Sequence, residues 1–195
     1  MEVLDLQAEI EESNIGTIIN GLRNFAKGDI EKSLEKNMLI ATFILCACFI
    51  DQVSGYYCGI NHMKGVKPIV GKRFKQFCKD YLHDKINKNH DDELLYNELR
   101  NEIVHSYSST GKFALGTGLK DSHLKKHKNG SIILSADVFF ADISCAFEMW
   151  VNDLKKNQDL RRDTLMWFNL HKTFELIELE PKDDKIGNSQ RVFLE

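Results

Sequence analysis

The stretch MLIATFILCACFI, residues 38–50, decides the fold. Leucine, isoleucine, phenylalanine, alanine or cysteine falls on every side of a helical wheel drawn through it, and Thr42 is its single hydroxyl. A helix with no polar face belongs in the middle of a bundle or in a lipid bilayer. The run stops at Asp51, short of the roughly 18–20 apolar residues a bilayer crossing needs. The expectation is a buried central helix from about Ile30 to Tyr57, with the remaining helices laid around it.

Working outward, Ile15, Ile18, Ile19, Leu22 and Phe25 keep the spacing of an amphipathic helix on the N-terminal side. Gly28 is expected to close that helix and Asp29 to cap the next. On the other side Gly55, Gly59, Gly65, Pro68 and Gly71 mark a connection. Phe74, Phe77, Cys78 and Tyr81 then predict a short helix ending near His83. Asn89 to Asp92 offer capping side chains and negative charge at the start of a fourth helix, whose apolar positions are Leu94, Leu95, Leu99 and Ile103.

After Gly111 the period changes. Two short apolar runs flank Asn129-Gly130, a pair suited to a two-residue type I′ turn. A small β-hairpin insertion is therefore expected at about 112–134. Ser135 can cap a fifth helix reaching Lys156, and a last helix is expected from Asp159 to Phe174. The fold class is all-α: a helical bundle of five to six helices with one hairpin, forming a single domain over 1–180. A charged tail, 181–195, follows.

Composition agrees. The chain has 195 residues, of which 28% are charged and only two are proline. Many short strands and tight turns would normally call for more proline. The five cysteines are odd in number and lie among apolar neighbours, which suits reduced thiols better than a disulfide frame. The opening MEVLDLQAEIEE is acidic and lacks the basic-then-apolar pattern of a signal peptide. A cytoplasmic protein with no membrane partner is expected.

The chemistry concentrates in LLYNELRNEIVHSYS, residues 94–108, at the end of the fourth helix. Within it RNEIVH, residues 100–105, resembles the R-x4-6-H motif of the HEPN superfamily, including the polar residue after the arginine. HEPN domains are compact helical bundles, often dimeric, and many are metal-independent ribonucleases that serve as toxins or in antiviral defence. The resemblance implies that Arg100, Asn101 and His105 are catalytic, that RNA is the substrate, and that the active site forms at a homodimer interface. It also allows an antitoxin protein as a partner. The alternative is a catalytically silent HEPN-like module that binds RNA, a nucleotide or a protein partner.

Residue types fit ribonuclease chemistry. Histidine exchanges protons near neutral pH, and arginine is a permanent cation whose forked donors match phosphate oxygens. Asn101 can orient the imidazole or a phosphate oxygen. At 100° per residue Arg100 lies about 140° around an α-helix from His105, so one helix is not expected to aim them together. Ser106 and Tyr107 are candidate substrate contacts, although Tyr107 reads more readily as a core or interface aromatic. Two basic stretches are candidate phosphate binders. One holds Lys64, Lys67, Lys72, Arg73, Lys75, Lys79, Lys85 and Lys88, with Lys72 and Arg73 as its candidate substrate contacts. The other is on the hairpin and includes Lys125 and Lys126. No cofactor and no metal is expected. GVKPIVGKR, residues 65–73, has neither the spacing nor the hydroxyl residue of a P-loop.

Overall fold

A 20-residue helix, α2 (Leu39–Cys58), forms the axis of the molecule. The other elements of the computed structural model, which describes residues 2–59, 70–107 and 111–171, wrap around it. The first helix, α1 (residues 2–35), is α-helical over Glu2–Gly21, π-wound over Leu22–Lys27 and α-helical again over Gly28–Glu35. Helix α3 (residues 70–83) and helix α4 (residues 92–106) also contain π-wound segments, Cys78–His83 and Leu95–Ile103. Two strands follow, β1 (Phe113–Gly116) and β2 (Ile132–Ser135), then α5 (Ala136–Leu154) and α6 (Gln158–His171). The described residues thus form the expected all-α bundle, six helices with a small β insertion.

By length and composition α2 could cross a membrane. Here it packs against all five other helices. Phe43, Cys46, Ala47, Ile50, Val53 and Tyr56 are fully enclosed. Its aromatic residues meet those of α5 in series, Phe43 with Phe139, Phe49 with Phe147 and Tyr56 with Trp150, at ring-centre separations of 6.3, 5.5 and 6.5 Å. Gly55 allows α6 to close in, because a Cβ there would lie 2.6 Å from the Trp167 ring.

The boundary between the first two helices differs from expectation. Gly28 has φ −60° and the first helix runs straight through it. The break comes at Asn37, whose φ of 54° is left-handed. The Met38 N–H donates to the Ser33 carbonyl and the Asn37 N–H to that of Leu34, the two bonds of a Schellman stop. Asparagine is among the few non-glycine residues that enter this region readily, and here it ends the helix. At the fourth helix the capping expectation holds, with Asp91 accepting from the Leu94 N–H at 2.9 Å. Ser135 does stand at the N-cap of α5, but its hydroxyl is not used as a cap. It donates to Asp137 and accepts from the Leu119 N–H.

The insertion is more than a hairpin. The chain does turn back at Asn129-Gly130, where the His127 N–H donates to the Ser131 carbonyl and the Ile133 N–H to that of Lys125. Gly130 is left-handed at φ 88° while Asn129 is not. This makes a three-residue loop closed by glycine, in place of the two-residue type I′ turn, which requires both central residues left-handed. On its other edge β2 pairs with β1 in parallel, Phe113 opposite Ile132 through Gly116 opposite Ser135. The tail 181–195, Phe174, Lys64, Lys67 and Ser108 lie outside the described residues.

Candidate active site

Arg100 lies on the π-wound part of α4 and is the hub of the site. Its Nε donates to Asp51 Oδ2 at 3.1 Å. Its Nη1 points at Asn101 Oδ1 and at His105 Nε2, each at 3.3 Å. The expected 140° separation is corrected here. In a π-helix the repeating hydrogen bond joins residues five apart, so Arg100 and His105 come to the same side within one chain. A guanidinium nitrogen can only donate. The His105 nitrogen facing it is therefore the unprotonated one, a lone pair able to take a proton.

Asp51 was not singled out by the motif. It is the one charged residue between Met38 and Cys58, and a lone carboxylate inside an otherwise uncharged helix was the signal available. Its side chain and that of Arg100 are each about a quarter exposed, so the pair is shielded from solvent yet reachable. Cys48, one turn earlier and expected in the core, is exposed. Burial first, and Asp51 second, push its thiol up, against a smaller opposing effect of Arg100. It is not primed as a nucleophile.

The remaining sequence candidates divide. Ser106 donates its hydroxyl back to the Glu102 carbonyl, so its expected substrate contact is occupied by the helix. Tyr107 ends α4 in the left-handed region at φ 54° and is 65% exposed, not a core residue. Its ring stands in solvent two residues from His105. Lys72, Lys125 and Lys126 are exposed, and among the described residues no hydrogen bond or ion pair links them to the Arg100 group. Arg73 is not part of a solvated patch: it is 8% exposed, with its guanidinium carbon 4.3 Å from the centre of the Trp167 ring.

One cluster has the donor set of a metal centre. His90, His123 and Asp142 place a ligand-type atom each within 4.8 Å of one another. The hydrogen bonding argues for a different role. The Ser135 N–H donates to His123 Nδ1 at 3.0 Å, which leaves the proton of a neutral ring on Nε2, the atom 3.5 Å from Asp142. A ligating histidine needs the opposite arrangement. His90 Nε2 meets the same carboxylate oxygen at 2.8 Å. The cluster is therefore a tie between the loop before α4, the insertion and α5.

Burial, the largest effect on Asp142, raises its carboxyl, but the hydrogen bonds and charges of His123 and His90 together outweigh it and leave it below the ordinary value. A carboxylate depressed in the folded state stabilises fully above its unfolded value, and that contribution is lost as pH falls through the folded one. Asp142→Asn is expected to cost about 1–3 kcal/mol at neutral pH. Urea melts of both proteins at several pH values should show the gap closing below about pH 4. A gap that stays constant to pH 2 would mean the carboxylate is not the tie.

A cleft of about 510 Å³ is lined by Tyr57, Asp80, Tyr81, Lys85, Asp153 and Lys156 among others and shares no residue with the Arg100 group. Its polar groups are mutually engaged: Tyr57 donates to Asp80, and both Tyr81 and Lys85 donate to Asp153. No family model matches the chain, and no curated protein or solved structure matches it.

Proposed function

We propose that the protein is a metal-independent endoribonuclease of HEPN type, a cytoplasmic enzyme acting on RNA, of the kind that serves as a toxin or in defence. The observation that carries this reading is the 3.3 Å approach of Arg100 Nη1 to His105 Nε2, with Arg100 braced by Asp51. In the reaction Arg100 Nη1 turns from His105 Nε2 to the phosphate, and the freed Nε2 lone pair takes the proton of a ribose 2′-hydroxyl. The 2′-oxygen attacks the adjacent phosphorus, and Arg100 meets the negative charge that builds on the phosphorane oxygens. The 5′-oxygen leaves opposite the attacking atom and must receive a proton there.

A base on one side of the phosphorus cannot also be the acid on the other. This gives the proposed homodimer its task. It is not needed to bring Arg100 to His105; a second copy of the chain brings a second histidine to the far side of the phosphate. Sedimentation at micromolar concentration should show a dimer, and monomer with full activity would remove the shared site.

The direct test is incubation of purified protein with end-labelled RNA in EDTA. Fragments with 2′,3′-cyclic phosphate and 5′-hydroxyl ends are expected, and 3′-hydroxyl ends would overturn the mechanism. Asp51→Asn keeps the shape of the brace and removes its charge. A clamp displaced by about 1 Å can cost roughly 10²-fold in rate, so cleavage should fall by about that factor, mostly in kcat. An unchanged kcat would show that Asp51 does not position Arg100.

A further inference from the structure

Arg73 is the cation that this chemistry leaves without a task. It sits on α3, enclosed but not sealed, at 8% exposure. Its guanidinium lies over Trp167 of α6. Among the described residues its buried Nε has no hydrogen-bond partner. A buried guanidinium normally ends on a carboxylate, yet among the described residues no acid makes an ion pair with it. Burial is the largest influence on Arg73 and lowers its pKa, opposed by the charges of Cys58 and Asp51. Asp51 is already bonded to Arg100.

The contacts run in sequence across the molecule. Asp51 and Gly55 are four residues apart and share a face of α2. The Trp167 ring rests on Gly55, and Arg73 rests on that ring. Arg100 reaches the same face of α2 through Asp51. Two guanidiniums thus converge on this face of α2, and Asp51, the carboxylate that acts on both, is bonded to Arg100 and not, among the described residues, to Arg73. A guanidinium held flat, with its Nε unpartnered among the described residues, keeps planar donors that match a phosphate oxygen.

We propose that Arg73, held flat on Trp167, is a second phosphate-binding residue of the Arg100–His105 site, gripping a phosphate of the bound RNA other than the one cleaved. The proposal rests on the ribonuclease reading for its ligand but not on turnover. It identifies the substrate as an RNA chain extending beyond the scissile bond, so that a dinucleotide offers too few phosphates.

The test uses a fluorescein-labelled 2′-O-methyl oligoribonucleotide, which lacks the attacking hydroxyl, in anisotropy titrations of the full chain between 50 and 200 mM salt. Arg73→Gln is expected to bind about tenfold more weakly, with the slope of log affinity against log salt reduced by about 0.7. Melting curves run alongside establish that the variant is folded. If Arg73→Gln does not fold, Arg73→Lys decides: it keeps the charge but not the planar fork, so several-fold weaker binding at an unchanged slope is expected. Wild-type affinity in a folded Arg73→Gln, or in Arg73→Lys where that is the variant tested, overturns the proposal, and so does a wild-type protein that does not bind the probe. Arg73-dependent binding in a protein that never cuts RNA would remove the ribonuclease chemistry and keep this site. Cleavage with Arg73-independent binding would do the reverse.

Discussion

Cleavage of labelled RNA by His105→Ala is expected to fall by about 10²-fold or more, and by Arg100→Ala to a similar extent. In the proposed mechanism His105 holds the lone pair that accepts the 2′-proton, and among the described residues no other histidine is hydrogen-bonded to Arg100. In that mechanism Arg100 does two things at once, meeting charge on the phosphorane oxygens and orienting His105. The two losses should therefore not add: the double variant should be little worse than either single one, as for residues that act as a unit. Packing of α4 belongs to Leu95, Leu99 and Ile103, all buried, so His105→Ala should melt within about 0.5 kcal/mol of wild type. Arg100→Ala strands Asp51 and should lose somewhat more. Asn101→Ala should be milder, since water can replace its contact. Wild-type cleavage by a folded His105→Ala would refute the mechanism.

Trp150→Ala is expected to cost about 3–5 kcal/mol, a large part of the roughly 5–15 kcal/mol that holds a domain of this size together. Trp150 is fully buried, 5.7 Å from Phe147 and 6.5 Å from Tyr56 between ring centres. The Tyr56 contact exists only because α2 lies inside the bundle, so the experiment also reports on the role of the most apolar helix. Urea unfolding should shift to a lower midpoint with the slope unchanged. A loss below about 1 kcal/mol would place α5 outside the core.

Residues 38–50 announced a central buried helix because a segment without a polar face has few stable places to go. The amphipathic spacing of the flanking segments then implied a bundle, and Asp91 was readable as a cap because capping is a local hydrogen bond. Boundaries were less legible. Gly28 looked like a stop but lies in ordinary helical geometry, while Asn37 adopts the left-handed turn, a choice made by the packing on either side. The parallel pairing of β1 with β2 was out of reach, since it joins segments almost twenty residues apart and is not encoded by the Asn129-Gly130 turn.

The site divides along the same line. RNEIVH carried Arg100, Asn101 and His105 because their chemistry and spacing are local. The ideal α-helical period set Arg100 and His105 apart; the π-wound backbone of Leu95–Ile103 set them together. Asp51, 49 residues from Arg100 along the chain, became its brace, and Arg73 left the basic surface to lie on Trp167. By itself, then, the sequence determined the class of fold and the residue types of the candidate site, since side-chain polarity and helical periodicity are properties of neighbouring residues. Which carboxylate faces which guanidinium, and which cation lies on an aromatic ring, was decided by tertiary structure alone, because those relations depend on how helices far apart in the chain meet.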